Sequence, residues 1–276
     1  MFYADQHMHS IVSFDSDSPR TTMAEAAVRA GLSALCFTDH YDVVDEFGVL
    51  HPDYDWVPAR AEQARAQALW GDRIALGYGV ELGNAPADFA AAERVLQEPG
   101  LDLVIGSIHN GSEAVGKPDY YNVNYDSVEL CHRHLSDYFQ SMLALARWGG
   151  FDVLGHIPYP LRYMRDRDGQ DVDLIPYMEL IREILRCTVA AGRGIELNTC
   201  QFHPGSAADY AQVLTLYREL GGEIVTVGAD AHEPSKVAFA LREGYALLGQ
   251  CGFRYAARYV GRNPEFYPLE EVSPHA

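Results

Sequence analysis

His7 and His9 stand two residues apart behind a short apolar run at residues 1–4. Side chains of an extended segment alternate faces, so both imidazoles point the same way. Such a pair can hold a metal or can simply fill hydrogen-bonding roles. The rest of the chain supplies the deciding company. His40, Glu81, His109 and His156 each follow a separate apolar run, and Asp230-Ala231-His232 follows another. Six of the 11 histidines and two carboxylates therefore occupy equivalent places. Burying that many polar groups is costly unless something coordinates them. Imidazole and carboxylate without thiolate suit Zn, Mn or Fe in a catalytic setting. The donors outnumber what one ion binds, so two to three divalent transition metals are expected, with a carboxylate bridging.

These residues need a scaffold that brings segment ends together. Short apolar runs at 1–4, 33–38, 74–80, 101–107, 151–155, 194–198 and 223–228 read as strands. Amphipathic stretches between them read as helices, at about 22–31, 57–70, 86–97, 127–147, 175–191, 207–220 and 234–248. Thr21 or Thr22 with Glu25 is the expected cap of the first helix. Strands alternating with helices imply a parallel sheet covered by helices. The expected fold is α/β, a closed or nearly closed barrel of seven βα units forming one domain over 1–276, with an open doubly wound sheet as the alternative. No Gly-x-Gly-x-x-Gly follows the first strand, which removes the main cue for a dinucleotide fold. In a barrel the polar residues listed above lie together at the C-terminal rim, where such folds keep their chemistry.

Composition narrows the partners. The formal net charge is −18, which argues against broad contact with a nucleic-acid backbone. It does not exclude an anionic substrate, because bound divalent ions locally reverse the sign. The five cysteines are irregularly spaced, with no Cys-x-x-Cys pair, as in a reduced intracellular chain. No signal peptide and no membrane-length apolar run is visible, so a soluble cytoplasmic protein is expected. Oligomeric state is not legible.

The stretches His7-Met8-His9-Ser10, Thr38-Asp39-His40, Gly79-Val80-Glu81, Gly106-Ser107-Ile108-His109, Leu154-Gly155-His156 and Gly228-Ala229-Asp230-Ala231-His232 resemble the PHP (polymerase and histidinol phosphatase) family, specifically its histidinol-phosphatase type. The resemblance implies a distorted (β/α)7 TIM-like barrel and a trinuclear metal site. It assigns His7, His9, Glu81 and Asp230 to one metal. Glu81 bridges to a second, held also by His109 and His156. His40 and His232 hold a third, with a residue of the loop after the first strand. Relatives often have histidine there; the equivalent here is Asp15, with Asp17 as the alternative.

The activity implied is hydrolysis of a small phosphate monoester, L-histidinol phosphate first, in histidine biosynthesis. Divalent ions held there would supply, by this resemblance, an activated water as nucleophile toward phosphorus at neutral pH. Arg162, six residues after His156, resembles the family's phosphate-binding arginine and suits bidentate contact. Beyond the sixth strand, Asn198-Thr199-Cys200-Gln201-Phe202-His203 departs from the family's arginine-containing segment. His203 is then either a phosphate ligand and proton donor or a surface loop residue. Asp39 is a candidate orienting residue or general acid. The loop at 110–125, with Tyr120, Tyr121 and Tyr125, is a candidate lid, and His132 and His134 read as solvent-facing. Other readings are a PHP phosphoesterase for phosphotyrosine protein, nucleotide or sugar phosphate, and a metal-stabilised regulatory module without turnover.

Overall fold

The computed structural model describes residues 2–51 and 53–269. Met1, in the first apolar run, and residues 270–276 of the expected 1–276 unit lie outside them. The strands are β1 (Ala4–Asp5), β2 (Ala34–Phe37), β3 (His40–Asp42), β4 (Ala75–Gly83), β5 (Leu103–Ser107), β6 (Val153–Leu154), β7 (Gly194–Asn198), β8 (Val225–Gly228), β9 (Tyr255–Val260) and β10 (Asn263–Pro268). The helices are α1 (Arg20–Ala30), α2 (Trp56–Trp70), α3 (Phe89–Val95), α4 (Val128–Trp148), α5 (Met178–Ala190), α6 (Pro204–Glu219) and α7 (Leu241–Gln250).

Seven parallel strands run in the order β1-β2-β4-β5-β6-β7-β8, and β3 pairs with the far end of β4. The ends of this sheet meet. Gln6 N–H donates to Val227 O at 2.9 Å, His9 N–H to Ala231 O at 3.0 Å, and Met8 bridges Ala231 in parallel register. The fold is thus a (β/α)7 barrel, not the open sheet. Alternation along the strands fills its lumen. Cys36, Leu103, Ile105 and Val153 form an apolar cluster apart from the main core, joined by Tyr259 of β9. Tyr259 bonds back to Gln6 and to Asp152, just before β6, so the β9–β10 hairpin plugs the N-terminal mouth.

At the other mouth the same inward series turns polar. Leu103 and Ile105 are followed two residues on by Ser107, then by His109. Space there is kept by glycine. A Cβ on Gly155 would sit 2.5 Å from Ser107 Oγ, and one on Gly228 would sit 2.3 Å from His7 Cβ.

Several boundaries differ from expectation. α1 starts directly after Pro19 without a side-chain cap, because Arg20 is drawn into the core. The 86–97 helix is a 3₁₀ turn followed by α3, which Asp88 restarts by accepting from Ala90 and Ala91 N–H. The 234–248 helix breaks between Lys236 and Leu241. There Ala238 N–H donates to Asp5 and Phe239 O accepts from Thr199, so tertiary bonds take over the backbone. The arginine-bearing loop after His156 is a π-helical turn, Arg162–Arg167. Among the described residues no helix is long and apolar enough to cross a membrane.

Candidate metal centre

Glu81 sits at the middle of the C-terminal mouth, 1% exposed. Its Oε1 lies 2.8 Å from His156 Nε2 and 3.1 Å from His109 Nε2. Its Oε2 lies 3.2 Å from His7 Nε2, 3.5 Å from His9 Nε2 and 3.0 Å from His40 Nδ1. Asp230 Oδ1 closes the first group, 3.1 Å from His9 Nε2 and 3.5 Å from His7 Nε2. A third group forms on the loop after β1, where Asp15 Oδ2 is 3.0 Å from His232 Nε2 and 3.6 Å from His40 Nε2. The structure therefore brings all nine candidate ligands together: His7, His9, Asp15, His40, Glu81, His109, His156, Asp230 and His232. Asp17 is exposed and makes none of these contacts.

The local backbone is built for this. Asp230 adopts φ 52°, a left-handed conformation uncommon for a residue with a side chain. It is held by Asp230 N–H donating to His7 O at 2.9 Å and by Asn198 Nδ2 donating to Asp230 Oδ2 at 3.1 Å. β3 carries His40 and Asp42 on one face, in register with Glu81 and Gly83. The second strand reads as 33–38 in the sequence; β2 stops at Phe37, and a separate pairing with the long β4 makes His40–Asp42 a strand of its own.

The outer contacts decide what the inner atoms offer. His7 Nδ1 donates to Glu196 Oε1 at 2.6 Å. His9 Nδ1 donates to Ser13 Oγ at 3.0 Å, and Ser13 in turn donates to Asp39 at 2.8 Å. His109 Nδ1 faces both oxygens of Asp42 at 3.1 Å, and His232 Nδ1 donates to Asp230 O at 3.0 Å. Each of these bonds leaves a lone pair on Nε2. Those lone pairs converge on carboxylate oxygens and on one another, with His7 and His9 Nε2 only 3.0 Å apart. Lone pairs aimed at one another need a cation in their midst, and this donor set fits divalent ions.

The charges agree. Burial penalises ionised Glu81, yet His7, His109 and His40 hold its carboxyl well below the usual range. Asp230 is held low against burial by His7 and His9. Burial opposes charging of His7, His40 and His109, but the surrounding carboxylates raise all three. His9 is pushed down to about 3 by burial and by neighbouring His232 and His40.

Two expectations about Asp39 and His203 separate here. Asp39 does not line the cavity. Its carboxylate accepts from Ser10, Ser13 and the buried Arg20, at 2.6 Å from Arg20 Nη2, and Arg20 helps keep it ionised. That is the environment of a residue orienting His9 through Ser13, not of a general acid. His203 lies away from the metal-facing residues. It caps α6, its Nδ1 accepting from Gly205 N–H at 3.1 Å, while Nε2 pairs with Asp166 at 3.0 Å. A ring committed on both nitrogens is not a phosphate ligand. His203→Ala is expected to leave turnover within about threefold of the parent and to cost about 1 kcal/mol of stability, the usual worth of an N-cap. Kinetics beside a urea melt check both; a hundredfold loss of turnover with unchanged stability would restore His203 to the site.

The lid expectation is also corrected. Tyr120 and Tyr125 point into the core beside His134, which is itself buried, and only Tyr121 of the three reaches the cavity. His132 bonds the Tyr177 hydroxyl at 2.7 Å. Sequence reasoning missed Glu196, Asp42 and Ser13, the partners of His7, His109 and His9. A lone carboxylate within the apolar run Gly194–Asn198 was the available signal for Glu196.

The remaining cavity, about 490 Å³, is walled by Phe14, Tyr121, Tyr159 and Tyr163, with Arg162 at one side. Arg162 lies over the Tyr159 ring, 5.2 Å from its centroid, and 3.4 Å from Asn198 Oδ1. A (β/α)7 barrel with this rim of imidazoles and carboxylates defines a metal-dependent hydrolase. The PHP domain model matches residues 5–200, and the chain belongs to that family. It is 27% identical over 268 residues to the histidinol-phosphatase of Lactococcus lactis subsp. lactis (strain IL1403), covering 93% of this chain and 94% of that protein. A probable histidinol-phosphatase of Thermotoga maritima is 27% identical over 255 residues, covering 92% and 94%. Among solved structures, the Lactococcus lactis histidinol phosphate phosphatase complexed with zinc, L-histidinol and phosphate superposes with a TM-score of 0.82 at 24% identity, covering 95% of this chain and 98% of that one. The putative histidinol phosphatase of Listeria monocytogenes superposes with a TM-score of 0.68 at 16% identity, covering 87% and 99%.

Proposed function

We propose that the protein is a metal-dependent phosphomonoesterase whose substrate is L-histidinol phosphate, which it hydrolyses to L-histidinol and phosphate. The observation that carries this reading is the three ligand groups meeting around Glu81 in the same cavity as Arg162. His7, His9, Glu81 and Asp230 would hold one ion, Glu81, His109 and His156 a second, and Asp15, His40 and His232 a third. Bound there, such ions supply Lewis acidity and an activated water at neutral pH. The chain's own residues do the rest. Arg162 offers a planar fork of donors to phosphate oxygens, and Asn198 and the Tyr159 face fix its direction. Tyr159 and Tyr163, bonded through their hydroxyls at 3.1 Å, form an aromatic wall suited to an imidazole ring. Glu196, Ser13 with Asp39, and Asp42 keep their histidines in the tautomer that presents Nε2. Supporting the choice of substrate are the two named histidinol-phosphatases that match over nearly the whole chain.

The test is a panel of phosphate esters turned over by metal-reconstituted protein. Histidinol phosphate is expected to exceed phosphotyrosine, nucleotide and sugar phosphates in kcat/KM by about 100-fold or more. A preference of that size for another ester would overturn the substrate and leave the phosphatase standing. No turnover of any ester with metals bound would favour a regulatory module.

A further inference from the structure

Two carboxylates of the cavity, Asp119 and Glu46, are left over once the ligand groups are formed. Asp119 lines the same cavity as Arg162, yet it belongs to none of the groupings able to hold an ion. Among the described residues no arginine, lysine or histidine pairs with it. Its position is nevertheless fixed. Asn110 and Asp119 form an antiparallel bridge, and Tyr120 N–H donates to His109 O at 3.0 Å, which ties the segment beside a ligand histidine. Asp119 Oδ1 accepts from Tyr121 N–H at 2.7 Å, and among the described residues no donor bonds the other oxygen. Glu46 also lines the cavity outside the ligand groupings and adds negative potential near Asp119.

A half-buried carboxylate with no directly paired cation, on which His109 acts only at a distance, is costly to hold. In a substrate cavity the cost is offset when the substrate brings the cation. The cavity thus offers a cationic fork, Arg162, for one end of a ligand and an unpaired anion, Asp119, for another part. We propose that Asp119 is a specificity-determining residue that receives the protonated amine of an amino-alkyl phosphate ester. The inference rests on the phosphatase reading and deepens it. Histidinol phosphate is such an ester, with an ammonium on the carbon next to the ester-bearing one. A site built to hydrogen-bond a substrate group discriminates strongly against the analogue lacking it.

The experiment compares two esters, histidinol phosphate and 3-(imidazol-4-yl)propyl phosphate, which keeps the ring and the phosphate but lacks the amine. Parent protein and Asp119→Asn are assayed with both, with metal content and melting temperature recorded for each. Asparagine retains the bond to Tyr121 N–H, so the turn is kept. The parent is expected to prefer the amine-bearing ester roughly 10–100-fold in kcat/KM, and Asp119→Asn to lose that preference, mainly through KM. Turnover of the amine-free ester is expected to stay within about threefold. An equal loss on both esters, or no loss on either, would overturn the role of Asp119 while the phosphatase stands. A parent that prefers the amine-free ester would overturn the role of Asp119 and the choice of substrate while the phosphatase stands; one that hydrolyses neither ester with metals bound would overturn the phosphatase reading as well.

Discussion

Glu81→Gln is expected to lower kcat by roughly 10³-fold or more and to remove metal from two of the three ligand groups at once. The reason is geometric. Oε1 faces His109 and His156 while Oε2 faces His7, His9 and His40, so a single side chain serves two clusters. Ser107 Oγ donates to Oε1 at 2.7 Å and holds the carboxylate in that bridging attitude. Glutamine has the same length and shape, so the core is not emptied. It lacks the charge, and its amide nitrogen is a donor that cannot ligate. Metal content by mass spectrometry should fall by about two ions per chain, with the Asp15, His40 and His232 group least affected. A Glu81→Gln protein that kept its full complement of metal and its parental kcat would refute the bridging role. The contrast with Ser107→Ala is informative. That change leaves the ligands in place and loosens only the orientation, so a loss of roughly 10–100-fold is the scale for an outer contact.

The sequence alone was informative about the ligands because a barrel collects strand ends. Chemistry-bearing residues distant in the chain then share one grammatical position, directly after an apolar run, and His7, His40, Glu81, His109, His156 and His232 all obey it. What stayed hidden depends on packing between elements. Asp42 belongs to β3, which exists only because β4 is long enough to pair with two segments in succession. Ser13 and Asp39 matter through a relay that crosses from the loop after β1 to the end of β2. His203 follows a strand in sequence much as the true rim histidines do. Pro204 and Gly205 start a helix immediately after it, and the ring turns to cap that helix instead of entering the cavity. Tyr120 and Tyr125 are likewise loop residues by sequence and core residues by packing, because α4 offers them a buried face. Arg20 shows the converse. Nothing local marks a buried arginine at a helix start, yet Asp39, Gln63 and the Phe37 and Tyr78 rings surround it.

Stripping the divalent ions is expected to lower the melting temperature by roughly 10 °C or more and to abolish turnover, both being restored by adding metal back. Each ion present at about 1,000 times its dissociation constant contributes about 4 kcal/mol. For a chain of this size 1 kcal/mol moves the midpoint by ~2–4 °C, so the loss of one ion accounts for the shift. The size of the gap should depend on pH, in a direction the site fixes. In the stripped protein His7, His40, His109 and His232 have pKa values raised above the unfolded one, because the ionised carboxylates around them favour protonated imidazoles in place of metal. Such groups stabilise the fold fully below the unfolded pKa of about 6.5 and lose that contribution as pH rises through their folded values. His9, pushed down to about 3, acts the other way, one ring against four. Metal binding runs opposite to proton binding, since the ligands must shed protons first. The stripped protein therefore weakens with rising pH while the loaded one tightens its grip, and the gap between their melting temperatures widens from about pH 6 to pH 9. Calorimetry of both forms across that window reads it directly. A gap that narrows as pH rises would mean that protons and metal do not compete for these imidazoles, and that the cluster around Glu81 is held together by hydrogen bonds alone.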